Sequence, residues 1–278
     1  MALTRRALLR TSVGLAAAGA VTAFGVEARA ANENQLRVTR HRVPWPELSR
    51  RLRVVQLTDI HVGSAVPEPY LRRVAELTWR AKPDLVVLTG DYLNHSLAYA
   101  RELRHLAGLL PKPCVATLGN HDYYSGRDGV IEALHGGGAE VLINDSVVLS
   151  RGGAELTIVG VDDGFTRHDN VPRAFDKVRH PDRALVLSHF PNTADRIAEL
   201  DARLVLSGHT HGGQIIVPGV TTLMQRALGN KYVAGWFELD RARLYVSAGV
   251  GGSIIAYRAG EAGMPEVAIF DLLPGLVG

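Results

Sequence analysis

Seven short apolar runs punctuate this chain, at 54–57, 85–88, 114–118, 156–161, 184–187, 204–206 and 244–246, and none of them alternates. A strand with one wet face reads as apolar-polar alternation, whereas a strand covered on both faces reads as a continuous Val, Ile and Leu run. These runs therefore predict interior strands with a layer on each side. Between them lie patterns of helical period: Leu71, Val74, Ala75 and Leu77; Leu103, Leu106, Ala107 and Leu110; Val130, Ile131 and Leu134; and Ile197 with Leu200. Strand and helix alternate along the chain, so the expected fold class is α/β.

Five of the runs end in polar clusters: Asp59-Ile60-His61, Gly90-Asp91, Gly119-Asn120-His121-Asp122, Ser188-His189 and Gly208-His209-Thr210-His211. Open α/β sheets bind ligands beyond the carboxyl ends of their strands, where neighbouring loops converge. The donors gathered there are carboxylate, imidazole and amide, a set that suits Mn, Fe, Zn or Co. In Asp59-x-His61 and His209-x-His211, i, i+2 spacing puts both side chains on one side of an extended segment. Gly90, Gly119 and Gly208 each precede a candidate ligand, where a glycine lets the backbone turn sharply and approach an ion closely.

Residues 1–30 read as an export signal and not as part of the fold. Arg5-Arg6 with Leu8-Leu9 precedes a mildly apolar, Ala- and Gly-rich stretch over 13–26 and then Ala28-Arg29-Ala30. That order fits a twin-arginine signal cleaved after Ala30, leaving 31–278 as a single domain. An uncleaved anchor is the alternative, although the stretch is shorter than the roughly 20 residues that a span needs. Arg5, Arg6, Arg10 and Arg29 against Glu27 supply the whole formal net charge of +3. The rest of the chain is formally neutral, which removes the usual reason to expect a nucleic-acid partner. The single cysteine, Cys114, rules out a disulfide framework and a thiolate metal site, and lies in a run that predicts burial.

The polar clusters, complete and in order from 59 to 211, resemble the signature of the calcineurin-like metallophosphoesterases: Asp-x-His, Gly-Asp, Gly-Asn-His-Asp, a lone His, and Gly-His-x-His. Gly212-Gly213-Gln214, Tyr232-Val233-Ala234-Gly235 and Met264-Pro265-Glu266-Val267 further resemble the exported or membrane-associated bacterial phosphodiesterases of that family. The resemblance implies a four-layer sandwich of two mixed β-sheets flanked by helices. It implies that Asp59, His61 and His211 hold one metal, that Asn120, His189 and His209 hold a second, and that Asp91 bridges the two. Such a pair would lower the pKa of a water between the ions and set the resulting hydroxide in line with phosphorus. His121 would protonate the departing alkoxide, a task suited to an imidazole near neutral pH.

One position departs from many relatives. Three residues after Asp91 they carry an Asp that binds the acid histidine or a Tyr that ligates ferric iron; here the residue is Asn94. A ferric-tyrosinate site is thereby excluded. The Asn94 amide is expected to accept the imidazole N–H without supplying charge. The implied activity is that of an exported phosphodiesterase or pyrophosphatase with two divalent ions, Mn or Fe favoured over Zn. A phosphomonoesterase is the nearest rival, and a non-catalytic scaffold is disfavoured because every ligand is retained. Expected partners are a phosphate ester, lipid-linked or envelope-derived in one reading, and the twin-arginine export machinery. The expected location is the periplasm or the outer face of the cell membrane. Histidines outside the clusters (His41, His95, His105, His135, His168, His180) are read as surface or loop residues, with His95 notable beside Asn94. Asp162-Asp163 either faces substrate or caps a loop, and Tyr232, Trp236 and Phe237 are read as core packing in preference to a rim for a lipid-like substrate.

Overall fold

The computed structural model describes residues 36–275 apart from 64, 214–219 and 253–260, so the expected signal over 1–30 lies outside the described residues, as does Gln214. In chain order the strands are β1 (Arg37–Pro44), β2 (Leu52–Leu57), β3 (Leu85–Thr89), β4 (Cys114–Thr117), β5 (Glu140–Val141), β6 (Asp145–Arg151), β7 (Ala154–Val161), β8 (Ala184–Ser188), β9 (Leu204–Ser207), β10 (Gly235–Glu238), β11 (Arg243–Val246) and β12 (Glu266–Leu273). The helices are α1 (Glu68–Ala81), α2 (Ala100–Leu109), α3 (Asn120–Gly136), α4 (Val171–Ala174), α5 (Ala194–Ala198) and α6 (Val220–Ala227).

Two mixed six-stranded sheets form, in the orders β1-β12-β2-β3-β4-β5 and β10-β11-β9-β8-β7-β6. Strands β2 to β5 run parallel, as do β7, β8, β9 and β11, while β12, β6 and β10 supply the antiparallel pairings. Unalternated runs are explained by coverage on both faces. In β2, Leu52 and Val54 point into the seam between the sheets with Leu185, Leu187, Leu204 and Leu206, whereas Val55 and Leu57 face the helices α1 to α3. The second sheet repeats the pattern: Val159, Val186 and Val205 turn outward onto Val171, Ala174 and Ile197. The four layers are thus helices, sheet, sheet and helices, as the family resemblance implies.

Polar side chains bridge the two sheets toward the carboxyl end of the seam. Gln56 is fully buried and donates through Nε2 to Thr89 Oγ1 (2.9 Å) and to the Ser207 carbonyl (3.0 Å), joining β2, β3 and β9. Thr117 Oγ1 likewise donates to the Val161 carbonyl at 2.8 Å. These bonds lock the two sheets in register directly beneath the loops that carry the five clusters. Cys114 is buried in β4, and burial pushes its thiol up to about 12, consistent with an inert packing role.

Candidate metal centre

All five clusters converge above the ends of β2, β3, β4, β8 and β9. Three overlapping groups form. In one, donor atoms of Asp59, His61 and His211 lie within 4.8 Å of one another; in a second, those of Asp91, His189 and His209 do; and in a third, those of His61, Asp91 and His121 do. His61 Nε2 and His211 Nε2 are 3.1 Å apart, and His211 Nε2 is 3.4 Å from Asp59 Oδ1. In the second group His209 Nδ1 is 2.9 Å from Asn120 Oδ1. Asp91 stands between them: its Oδ2 is 3.7 Å from His61 Nε2 and 3.2 Å from His189 Nε2, while its Oδ1 accepts the His121 backbone N–H at 2.9 Å. One carboxylate oxygen thus faces both groups and the other is occupied by the main chain.

The donors fit a cation. His189 Nδ1 is 2.8 Å from the Thr89 carbonyl, which fixes that nitrogen as the N–H. Its Nε2 is fully buried, lies beside Asp91 Oδ2, and makes no aligned hydrogen bond. A buried group in that condition costs free energy unless something binds it, and a metal ion contacting both Nε2 and Oδ2 would satisfy them together. Without an ion, a proton takes the place of the cation. Burial pulls the His189 pKa down most strongly as a single influence, yet Asp91, Asp59 and Asp163 together outweigh it and hold the imidazole at about 10. The neighbouring His209 is driven down to about 3 by burial and by the His189 charge. Asp59 is pushed up to about 6, chiefly by burial, with the Asp91 charge adding to it.

The sign of the resulting pH dependence follows. The charged His189 contributes stability to the metal-free protein that is fully present below its ordinary value near 6.5 and is lost as pH rises through about 10. An incoming ion must expel that proton. Between about pH 7 and 9 the apparent metal affinity of the metal-free protein should therefore rise by roughly tenfold per pH unit. Titration calorimetry in buffers of different ionisation enthalpy should count about one proton released per ion at this group; a pH-independent affinity would refute the assignment.

How the backbone presents these side chains differs from the extended segments that i, i+2 spacing suggests. Asp59, His61, Asp91, His209 and His211 all adopt left-handed backbone angles, with φ of 51°, 50°, 58°, 75° and 51°. Such conformations cost on the order of 1–3 kcal/mol each for non-glycine residues and persist where the surroundings over-determine them. The surroundings here do so. The His209 N–H is 3.1 Å from both Asp59 carboxylate oxygens, and the Asp59 and His61 N–H groups bond to the Gly90 and Asp91 carbonyls at 3.0 Å. Between the ligands of each pair, Ile60 points into the core and Thr210 Oγ1 bonds to the Val233 carbonyl.

Of the three glycines, only Gly90 has a positive φ, +93°. Gly208 serves for clearance instead: a Cβ there would come within 2.2 Å of Asp59 Oδ2 and of Thr58 Oγ1. Gly208→Ala should displace the Asp59 carboxylate and weaken metal binding in the first group by about 10–100-fold, the range found when a partner of a metal ligand is lost. Metal analysis after dialysis reads this directly.

Two features emerge only in three dimensions. Asp122, the last residue of Gly-Asn-His-Asp, is a clamp for the loops: its Oδ2 accepts the N–H groups of Gly119 and Asp91 at 2.9 Å and its Oδ1 that of Tyr92 at 2.8 Å. A glycine N-cap followed three residues on by Asp is a helix-start signal, and α3 starts there. The second concerns Asn94. His121 Nδ1 is 2.6 Å from the Asn94 backbone carbonyl, so the main chain, and not the expected amide side chain, takes the imidazole N–H. The loop from Asp91 turns that carbonyl inward, and residue 94 acts on His121 whatever its side chain.

Other expectations resolve as follows. Asp163 Oδ2 accepts the Thr166 N–H (2.7 Å) and hydroxyl (2.6 Å), and Asp162 Oδ2 accepts the Tyr123 hydroxyl (2.6 Å), so this pair organises its loop. Tyr232 and Phe237 pack against the outer face of the second sheet and Trp236 against the seam. Apolar exposure beside the metal-site histidines comes instead from Phe165, whose ring is 4.9 Å from that of His209, and from Tyr124, 5.7 Å from that of His121. Five of the outlying histidines are exposed, with His95 4.6 Å from the His121 ring. His41 departs from the surface reading: it is half-buried in β1 and stacks on Phe270 at 5.0 Å, because the edge strand covers an aromatic cluster of the seam.

A two-sheet sandwich with these clusters at its strand ends defines a metallophosphoesterase, and residues 52–213 match the calcineurin-like phosphoesterase family. The chain belongs to that family and is a hydrolase acting on phosphoric esters. It is 31% identical to the phosphodiesterase YaeI of Escherichia coli over 84% of this chain and 87% of that protein. It is 28% identical to the uncharacterized metallophosphoesterase YkuE of Bacillus subtilis over 97% of this chain and 98% of the relative. It is also 25% identical to the UDP-2,3-diacylglucosamine pyrophosphatase LpxG of Chlamydia muridarum, over 72% and 78% of the two chains.

Proposed function

We propose that the protein is an exported phosphodiesterase or pyrophosphatase that works with two divalent ions. The observation that carries this reading is the position of Asp91, one oxygen of which faces both donor groups from full burial. Asp59, His61 and His211 would hold one ion, Asn120, His189 and His209 the other, and Asp91 both. Mn or Fe is favoured, because a twin-arginine signal over 1–30 would let the metal be chosen before export. Bound ions of this kind supply an activated water and neutralise charge on the phosphoryl oxygens.

The chain's own residues do the rest. His121, held through Nδ1 by the Asn94 carbonyl, keeps Nε2 for the leaving oxygen and would deliver the proton there. Tyr124 and Phe165 offer apolar surface for the flanking groups of a diester. Among the described residues no lysine or arginine forms an ion pair with Asp59, Asp91 or Asp163, and a diester monoanion needs less cationic help than a monoester dianion. The phosphodiesterase of Escherichia coli and the pyrophosphatase of Chlamydia muridarum, both relatives of this chain, represent the same two reaction types. The test is a screen of activated phosphate mono- and diesters and a pyrophosphate diester with Mn, Fe, Zn and Co supplied singly. Diester or pyrophosphate cleavage should exceed monoester cleavage; hydrolysis of none of them with any metal would overturn the reading.

A further inference from the structure

Helix α6 is inside out. Among its described side chains the buried ones are polar, Thr221 and Gln225 at 4% and 9% exposure, with Asn230 just past the helix at 7%, whereas Val220 and Met224, and Leu228 just past the helix end, are 57%, 51% and 66% exposed. The polar face is satisfied internally: Asn230 Nδ2 donates to Gln225 Oε1 at 2.7 Å. The apolar residues recur at i, i+4 and i+8, one continuous stripe that runs on past the helix end, where the Leu228 N–H bonds to the Met224 carbonyl at 3.0 Å. A surface helix ordinarily turns that stripe to the core, so an outward stripe marks a surface meant for an apolar medium.

From this polarity we infer that Val220, Met224 and Leu228 form a docking surface that seats the protein on an anionic lipid bilayer beside its catalytic mouth. A second copy of the chain is the weaker occupant, because three side chains over about 12 Å of helix offer only part of the roughly 800 Å² per partner that a stable protein contact buries. An interfacial helix needs only such a stripe plus cationic company. Between Val220 and Lys231 the sequence carries Arg226 and Lys231 and no carboxylate. Lys231 is neutralised by Asp195 at 2.8 Å, but Arg226 is exposed and forms no ion pair among the described residues. No described helix is long and apolar enough to cross a membrane, so this contact would be peripheral.

The stripe is tied to the metal centre by hydrogen bonds. Asn192, three residues after His189, donates to the Gly229 carbonyl (2.7 Å) and accepts the Lys231 N–H (2.9 Å), and Thr210 holds the Val233 carbonyl. Docking through α6 therefore brings the loops of His189 and His209 to the lipid surface.

Membrane contact through this face is read by binding, so it stands or falls apart from the reaction proposed above. An environment-sensitive nitrobenzoxadiazole dye is attached in the full chain at Met224→Cys or Leu228→Cys, where buried Cys114 does not compete, and at Val148→Cys as an exposed control on β6. On adding vesicles of equal parts phosphatidylglycerol and phosphatidylcholine, dye at 224 and 228 should shift to the blue with a several-fold rise in emission and be quenched by spin-labelled lipid. Dye at 148 should not respond. The double variant Met224→Glu/Leu228→Glu should lose about tenfold or more in transfer of these positions to lipid, while cleaving a soluble diester at the parental rate. No response at 224 and 228 when vesicles are added would overturn the proposal, as would a blue shift that grows with protein concentration in the absence of lipid, which would identify the partner as a second copy.

Discussion

Asp91→Ala should cut activity by well over 100-fold and, in the proposed two-ion centre, reduce bound metal to one ion or none. Even the outer partners of metal ligands are worth about 10–100-fold in affinity or activity, and the Asp91 carboxylate lies beside both His61 and His189. Its loss would also strip His189 of the largest influence that raises its pKa, leaving the imidazoles of His189 and His209 and Asn120 to hold an ion without a carboxylate. Asp91→Asn separates charge from shape. The amide oxygen can still accept the His121 N–H, now 2.9 Å from Asp91 Oδ1, so the loop should hold its form. If Asp91→Asn keeps the parental thermal transition without metal but loses both activity and one ion, the bridging role is established by elimination of a folding defect. Two ions retained by Asp91→Asn at parental affinity would defeat it.

The convergence of the clusters on one site was legible because it depends on residue type and on place in the chain. A ligand must follow a strand, and an unalternated run such as 204–206 announces its strand before Gly208-His209 begins. Backbone conformation was not legible in the same way. Asp, Asn and His all tolerate left-handed angles better than most residues, but that tolerance does not mark which of them adopt such angles, as His61, His209 and His211 do; long-range bonds such as His209 N–H to Asp59 impose them. Pairing order was hidden for the same reason. The core of β12 is as apolar as any other strand, yet its insertion between β1 and β2 joins residues more than 200 positions apart, as in Arg53 to Asp271 at 2.8 Å. Strand β1 escapes pattern reading because it is an edge: Arg37, Arg40 and Arg42 interrupt its apolar residues, and charge on an edge discourages further pairing.

Polarity inverted on α6 teaches the converse. The apolar spacing Val220, Met224 and Leu228 predicts burial by the ordinary rule, and only the fold reveals that the buried side is the polar one. A local pattern fixes that a helix has two faces, whereas the rest of the molecule decides which of them meets solvent.

His121→Ala should lower kcat on an unactivated alkyl diester by about 10²–10⁴-fold, the range for loss of a positioned proton donor. A p-nitrophenyl diester, whose leaving group departs without protonation, should lose far less. Metal content should stay at the parental value if His121 is the proton donor, and should fall if it is instead a ligand in the group it forms with His61 and Asp91, whose donor atoms lie within 4.8 Å of one another. The contrast between the two substrates is the decisive reading. An equal loss on both would make His121 a ligand or a structural residue, and full activity on the alkyl diester would remove it from the mechanism. Asn94 supplies a sharper version of the same test. If the side chain were the acceptor, Asn94→Asp would add charge behind the imidazole and speed substrates with poor leaving groups. Because the acceptor is the main-chain carbonyl at 2.6 Å, Asn94→Ala should leave the substrate contrast of the parent nearly intact, with His121 still held in the tautomer that keeps Nε2 for the leaving oxygen.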